Sequence, residues 1–157
     1  MKNQSALIEE IVTKYENRLF RTALAIVGCK ADAEDIVQDV FVKLFQKQPQ
    51  FESEAHEIAW LIRVTVNLCK SRLRSPWRKN TTELLESYPA ENYEQHSIMQ
   101  TVLSLPHKYR VVIHLFYYEG YSTKEIADIT QQKEPTVRQH LTRARRMLKQ
   151  FLEGEEV

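Results

Sequence analysis

The chain has 157 residues, of which 43% are hydrophobic, with only three glycines and five prolines. This composition favours a helical globular protein and excludes the collagen-like and disordered classes. No apolar run approaches the roughly 18 residues that a membrane span requires, and the first ten residues lack the order of a signal peptide, so a cytoplasmic protein without a membrane span is expected.

Hydrophobic residues recur at helical spacing in the first half of the chain and predict three helices. The first covers residues 7–26 and ends near Gly28, which suits a helix stop. The second covers residues 32–45 with Asp32 as its cap, and the third runs over 55–74. Three helices of this length can enclose one small core.

Apolar periodicity is lost over residues 75–96, where prolines and polar residues collect, and this stretch is the candidate linker. A helix over 98–105, broken at Pro106, and a helix over 109–118 follow. The chain then turns at Gly120 and enters two further helices. We therefore expect an all-α protein with a three-helix domain at 1–75, a flexible linker at 76–96 and a four-helix domain at 97–157.

Residues 122–148 have the pattern of a helix-turn-helix. Ser122 and Glu125 have the spacing of a capping box, in which each side chain bonds to the backbone amide of the other residue. The buried side of the first helix is predicted to consist of Ile126, Ala127 and Ile129. In the second helix an apolar stripe leaves one nearly uniform basic face, which consists of Arg138, Gln139, Thr142, Arg143, Arg146 and Lys149.

The basic face of this second helix is suited to phosphates and base edges. A solvated amphipathic helix is the alternative, because Arg and Lys are common on any exposed surface. Residues 133–149, however, contain several cations and only Glu134 as a counter-charge, so there is little opportunity for the spaced ion pairs of solvated helices. This excess of cations favours an anionic partner.

The second predicted helix has an apolar arc over about half of its circumference, wider than the roughly 100° stripe that one core needs. Such a helix is interior or binds a partner. Its remaining arc is acidic and apolar, which suits a basic partner helix, and carries Asp35, Gln38, Asp39 and Val42. An ordinary core helix, with acids that complement the dipole in its first turn, explains the acids equally well.

One face of the third predicted helix combines an indole, an amide and three cations: Trp60, Arg63, Asn67, Lys70 and Arg74. Proteins hold unstacked bases with such groups. Trp60 can instead fold back onto the preceding loop as part of the core. The cations still favour a nucleic-acid surface, because Glu57 is the only acid within a helical turn of them.

Catalytic and metal-binding patterns are missing from the sequence. Cys29 and Cys69 are too few for a disulfide scaffold or a four-ligand zinc site, and the five histidines are scattered. No phosphate-binding glycine loop or nucleophile elbow occurs. We therefore expect no enzymatic activity, metal, cofactor or small-molecule substrate.

Four segments of the chain, taken in order, resemble bacterial extracytoplasmic-function sigma factors. The resemblance covers about residues 7–152 and rests on DAEDIVQDVF at 32–41, AWLIRVTVNL at 59–68, LPHKYR at 105–110 and EGYSTKEIA at 119–127. Any one of these motifs is weak, but four in the same order are specific.

The resemblance implies an alternative sigma factor with three contact surfaces. The first block would bind core RNA polymerase through Asp32, Asp35, Ile36, Gln38, Asp39, Phe41 and Val42. The same block would melt and capture the minus-ten promoter element with Phe51, His56, Trp60, Arg63, Asn67, Lys70 and Arg74. The second block would read the minus-thirty-five element with Lys133, Thr136, Arg138, Gln139, His140, Thr142, Arg143 and Arg146.

The interpretation as a sigma factor also accounts for the small net charge of +1, which is low for a free-standing DNA-binding protein. Two short DNA contacts suffice when polymerase fixes their relative position and supplies effective concentration. We expect no added sensory domain, so the resemblance further implies regulation by a separate anti-sigma protein.

The chain departs from the family pattern in two places. The loop over 49–57 carries Glu52, Glu54 and Glu57 where relatives often have glycine and basic residues, which opposes direct contact with melted DNA. The turn over 130–133 lacks the usual glycine, and Pro135 stands where glycine is common. Because a proline in the first helical turn loses no hydrogen bond, a slightly altered turn is expected.

Two other functions are alternatives to the interpretation as a sigma factor. A stand-alone helix-turn-helix regulator would bind an operator without polymerase, usually as a dimer. An interaction protein would use the first block for docking, with the basic helices incidental. Neither alternative explains both the acidic strip of the second helix and the aromatic and basic face of the third.

Overall fold

A computed structural model describes residues 4–74 and 100–154, and the predicted linker over 76–96 lies outside them. Every regular element in the described ranges is helical, which confirms the all-α fold class. The chain divides into two compact units, Met1–Lys79 and Asn80–Val157.

The first unit consists of three helices: α1 (Gln4–Val27), α2 (Lys30–Lys47) and α3 (Glu54–Leu73). All three pairs of helices are in contact, and aliphatic side chains from each fill one core that includes Leu19, Ile26, Ile36, Val40, Leu61, Ile62 and Val66. The turn between α1 and α2 contains Gly28 at φ 73°, a left-handed conformation that glycine adopts without steric cost.

The start of α2 differs from the prediction. The helix begins at Lys30 with Cys29 as its N-cap, and Cys29 makes no side-chain capping bond. Asp32 was predicted as the cap, but it lies within the first turn, where its side chain is buried. Its Oδ1 accepts a hydrogen bond from Arg72 near the end of α3 at 3.2 Å, so the carboxylate serves a tertiary contact instead of a cap.

The described part of the second unit contains helical residues at 100–103 and continues, after Pro106, with α4 (His107–Ile113). The last turn of the predicted helix over 109–118 is a π-helical turn, His114–Tyr118. Two more helices follow, α5 (Thr123–Thr130) and α6 (Glu134–Gly154). α6 contacts α4, and α5 contacts the π-helical turn and α6. Val112, Leu115, Ile126 and Val137 are among the fully buried side chains of this core.

Candidate functional site

The outer face of α2 carries the acidic strip, defined as Asp35, Gln38, Asp39 and Val42. All four residues are exposed, and Phe41 beside them is half-buried. Val42 exposes 50% of its surface, and Phe45, on the apolar arc of this helix, exposes 56%. Two large apolar groups therefore stand beside the carboxylates, as on a surface that binds a helix of mixed basic and apolar character.

Two predicted contact residues of α2 lie inside the first unit. Ile36 retains 1% of its surface and Asp32 retains 6%. Both side chains therefore offer little surface to a partner, apart from the part of Ile36 that lines a groove on this face. Beside Asp39, α2 and α3 leave an open groove lined by Ile36, Leu68, Ser71 and Arg72.

The aromatic residues before and within α3 form one cluster. The ring centroids of Phe51 and Trp60 are 5.9 Å apart, and those of Phe51 and His56 are 5.4 Å apart in edge contact. The backbone N–H of Glu52 donates to Nδ1 of His56 at 3.1 Å. Trp60 thus folds back onto the preceding loop, the alternative placement considered above, but it stays half-buried, with part of its surface open to solvent.

The cations of the α3 face are unequally exposed. Arg63, Asn67 and Arg74 are exposed, whereas Lys70 is half-buried. Burial, and secondarily the charge of Arg74, lowers the pKa of Lys70. The four polar residues and Trp60 line one side of α3, as predicted.

The acidic loop before α3 is partly neutralised by α1. Ser53 caps α3 and accepts a hydrogen bond from the His56 amide at 3.1 Å. Glu54 forms an ion pair with Lys14 of α1, and this contact lowers the pKa of the Glu54 carboxyl. Glu54 and Glu57 lie in the first turn of α3, and Glu54, one of the three acidic residues predicted to oppose DNA binding, is paired with α1.

The helix-turn-helix forms as predicted from its local signals. Ser122 Oγ accepts from the Glu125 amide at 3.1 Å, and Glu125 Oε1 accepts from the Ser122 amide at 3.0 Å, which completes the capping box. Ile126, Ala127 and Ile129 are buried. The turn is altered as expected: Gln131 takes the position usually held by glycine, at φ 57°, and Pro135 lies in the first turn of α6.

The basic face of α6 is exposed at all six predicted positions: Arg138, Gln139, Thr142, Arg143, Arg146 and Lys149. The opposite side buries Val137, Leu141 and Ala144. Lys133 is exposed just before the helix, and Thr136 is half-buried. A cationic ridge two to three turns long is thus available to a groove of nucleic acid.

His140 differs from the other predicted DNA-contacting residues of α6. Its ring packs edge-on against Tyr109 of α4, with centroids 5.5 Å apart, and its Nδ1 atom is buried. Burial lowers the pKa of His140, and the charges of Lys108 and Arg143 lower it further. The side chain is directed toward α4, so we leave it out of the basic face.

Two contacts of the second unit were not predicted. The guanidinium of Arg145 lies 5.4 Å from the ring centroid of Phe116 and 5.5 Å from that of Tyr117, and it donates to the Tyr117 hydroxyl. Glu134 Oε1 accepts hydrogen bonds from both Thr123 and Arg138. The partners in the first contact are 28 residues apart, so helical periodicity gave no signal for it.

Over residues 4–74 and 100–154, no group of three or more His, Cys, Asp or Glu side chains could hold a metal ion. Within the same ranges, no helix combines the length and the apolar character needed to cross a bilayer.

Family models match both units. The model for sigma-70 region 2 matches residues 11–79, and the model for sigma-70 region 4 matches residues 95–148. The ECF RNA polymerase sigma factor SigE of Mycolicibacterium smegmatis is 31% identical over 92% of this chain. The chain spans only 61% of the length of that relative.

Two solved structures are similar to the whole chain. The sigma factor RpoE, in complex with the anti-sigma factor NepR from Bartonella quintana, superposes with a TM-score of 0.75 at 24% identity, over 92% of this chain and 96% of that one. CnrH, in complex with the cytosolic domain of CnrY, gives a TM-score of 0.70 at 26% identity, over 97% and 90% of the two chains. At 24% identity, the similarity to RpoE concerns the fold alone.

Proposed function

The chain belongs to the extracytoplasmic-function family of RNA polymerase sigma factors, and we propose that it binds core RNA polymerase and directs transcription initiation at a restricted set of promoters. In this role it is a specificity subunit without catalytic activity of its own. The proposal assigns polymerase and minus-ten contacts to residues 1–75, a connecting role to 76–96 and minus-thirty-five recognition to 97–157.

The observation that carries the proposal is the presence of two different exposed surfaces in one chain. The acidic strip of α2 displays carboxylates beside Val42 and Phe45, and the basic face of α6 displays cations and amides. The first surface repels DNA and suits a basic protein helix, whereas the second suits DNA. A protein that joins polymerase to a promoter needs both.

We assign the polymerase contact to the exposed part of α2. Asp35, Gln38, Asp39 and Val42 face solvent along this helix, with Phe41 at the edge. The carboxylates would pair with cations of a polymerase helix while Val42 and Phe45 cover its apolar side. The groove beside Asp39, lined by polar residues and by Ile36 and Leu68, would accept one long side chain of the partner.

The minus-ten contact is assigned to the α3 face. Arg63, Asn67 and Arg74 are exposed for phosphates and bases, and Trp60 keeps part of its ring surface accessible beside Phe51 and His56. Aromatic rings of this kind stack on unpaired bases, which is the contact that a melted promoter strand offers. Glu52 limits this contact to the side of the loop away from its carboxylate.

The minus-thirty-five contact is assigned to α6. In a helix-turn-helix the second helix enters the major groove, and residues near its N-terminus reach the base edges. Arg138, Gln139, Thr142 and Arg143 occupy the first turns of the basic face, while Arg146 and Lys149 lie further along it for phosphates. Lys133 and Thr136 flank the entry to the groove.

A stand-alone operator-binding regulator is the alternative function, and the acidic strip opposes it. Such a regulator has no use for an exposed acidic and apolar helix in a separate unit. Since CnrH, at 26% identity, was solved with a second protein described as the cytosolic domain of CnrY, we also propose that a separate anti-sigma protein regulates this chain. The chain would act in the cytoplasm, where polymerase and promoter DNA meet.

Retention of DNA by purified components tests the proposal. A pool of genomic fragments is incubated with the chain alone, with sigma-free core polymerase alone and with both, and retained fragments are sequenced. We expect enrichment of a common two-part motif only with both components, together with co-elution of chain and polymerase on gel filtration. Enrichment of the same motif by the chain alone would support the stand-alone regulator instead.

A further inference from the structure

Glu134 holds two helices of the helix-turn-helix through one carboxylate oxygen. Its Oε1 accepts a hydrogen bond from Thr123 Oγ1 at 2.9 Å and another from Arg138 Nη1 at 3.2 Å. Glu134 is the first residue of α6 and Thr123 is the first residue of α5. Arg138 lies one turn further along the basic face and is 58% exposed at its side chain.

An acid at this place is electrostatically unfavourable for DNA binding. Between residues 133 and 149 it is the only negative charge, and a carboxylate beside a phosphate backbone lowers affinity for every DNA sequence. A favourable interaction with the helix dipole explains an acid in the first turn of α6. It does not explain why the same oxygen binds both the neighbouring helix and a cation of the DNA-facing ridge.

The geometry limits the freedom of the Arg138 guanidinium. One of its nitrogens is bound to Glu134, the side chain is 58% exposed, and the planar fork carries further N–H donors. An arginine held in this way loses less conformational freedom when it binds a base than an arginine free to rotate in solvent. Guanine offers two acceptors in the major groove that match such a fork.

We propose that Glu134 is a positioning residue that directs Arg138 toward a base pair of the upstream promoter element. Through Thr123, the same carboxylate joins the start of α5 to the start of α6 and so fixes the position of the helical turn from which the Arg138 side chain extends. Arg138 is then the specificity-determining residue, and Glu134 acts through it. The inference rests on the proposed function, since it deepens the contact assigned to α6.

Selection from randomised DNA tests the inference. Polymerase holoenzyme is assembled with the wild-type chain, with R138A, with E134A and with the double variant, and each selects from duplexes randomised over the upstream element. In wild type we expect a strong preference for one base pair that R138A reduces by roughly 5- to 100-fold, the range for one bidentate contact. E134A should reduce the same preference by at least about 3-fold while increasing retention of unselected DNA.

The double variant separates positioning from direct contact. If Glu134 acts through Arg138, the E134A/R138A variant has the same base preference as R138A alone, because the residue to be positioned is missing. An unchanged preference in E134A, or an equal further loss in the R138A background, would overturn the inference. Glu134→Gln retains an oxygen for Thr123 but loses the charge, so it should fall between wild type and E134A.

Two controls keep the result interpretable. Glu153→Gln removes the other acid of α6, which lies 3.9 Å from Lys149, and it should leave the base preference unchanged. Equal thermal unfolding midpoints of E134A, E134Q and wild type exclude a folding defect as the cause. If even wild-type holoenzyme enriches no upstream motif, the proposed function fails; if it enriches one that E134A shares, only this inference fails.

Discussion

Arg72 Nη1 lies 3.2 Å from Oδ1 of Asp32, and this ion pair joins the end of α3 to the first turn of α2 across forty residues of sequence. Asp32 is buried, whereas Asp35, whose carboxylate is 3.8 Å from the same guanidinium, is 61% exposed at its side chain. Arg72 therefore neutralises a buried acid and anchors the start of the helix that carries the acidic strip.

We predict that Arg72→Met destabilises the first unit by about 1–3 kcal/mol. Removing one partner of a buried ion pair costs about 3–5 kcal/mol, and partial exposure of Arg72 to water reduces that cost. Urea denaturation followed by Trp60 fluorescence, in a Trp77→Phe chain, measures the change. Asp35→Asn is the control, with an expected effect below about 0.5 kcal/mol. Equal effects of the two variants would mean that the ion pair with buried Asp32 contributes no more stability than the pair with exposed Asp35.

Gln131→Gly is expected to stabilise the second unit by about 0.5–1 kcal/mol, because glycine adopts the left-handed conformation at a helix C-terminus without the steric cost that glutamine bears. Gln131 has φ 57° and ψ 43° at the end of α5. Thermal and urea denaturation measure the effect. Gln150→Gly, inside α6, should destabilise by about 1 kcal/mol, so the two identical exchanges have opposite signs. The same sign for both would contradict the assigned turn geometry.

Local signals explain why the helix-turn-helix could be predicted from sequence. The capping box spans four residues and the apolar stripe of α6 follows from helical spacing alone, so neither depends on distant parts of the chain. Gln131 shows the same principle, since the missing glycine was evident and the turn formed with a strained residue in its place.

Tertiary contacts explain what could not be predicted. Asp32 was expected to cap α2 because the sequence pattern indicates only local contacts. Its partner in the structure, Arg72, is forty residues away, and no periodicity connects the two residues. The wide apolar arc of α2 gave no indication of which edge the neighbouring helices cover. Ile36 lies under α3 and Phe45 lies outside it. His140 was assigned to the DNA face because the position of Tyr109 on α4 was not known.

We expect Arg143→Ala and Lys149→Ala to affect DNA binding by holoenzyme in different ways. Arg143 lies in the second turn of the basic face, where a bidentate base contact would be worth about 1–3 kcal/mol for the upstream element and little for other sequences. Lys149 lies near the end of α6, where loss of a phosphate contact weakens binding to all sequences and lowers the salt dependence. Titrations at several salt concentrations distinguish the two. A uniform loss for Arg143→Ala would make it a phosphate contact.

Acidic pH should destabilise the second unit through His140. Burial, aided by Lys108 and Arg143, lowers the pKa of His140 in the folded chain below its ordinary value of 6.5. The unfolded chain then binds a proton more readily, so stability is full above pH 6.5 and decreases as the pH falls toward the folded pKa.

His140→Phe tests this pH dependence, because it keeps a ring beside Tyr109 and removes the titration. Between pH 7.5 and pH 5.5, the free energy of unfolding should fall less in this variant than in wild type, as measured by urea denaturation and circular dichroism; these pH values are approximate choices on either side of about 6.5. Every other titratable group is the same in both chains, so the difference reports His140. Parallel pH profiles would mean that His140 keeps its ordinary pKa.

The measurement that most directly tests the sigma assignment is transcription by sigma-free core polymerase with the purified chain and a pool of genomic fragments. We predict discrete start sites that share an upstream and a minus-ten motif. Asp39→Arg, in the acidic strip, should abolish these starts by weakening polymerase binding, while the charge-matched control Glu16→Arg on α1 should preserve them. Absence of defined start sites with the wild-type chain, or their persistence with Asp39→Arg at unchanged polymerase affinity, would contradict the account.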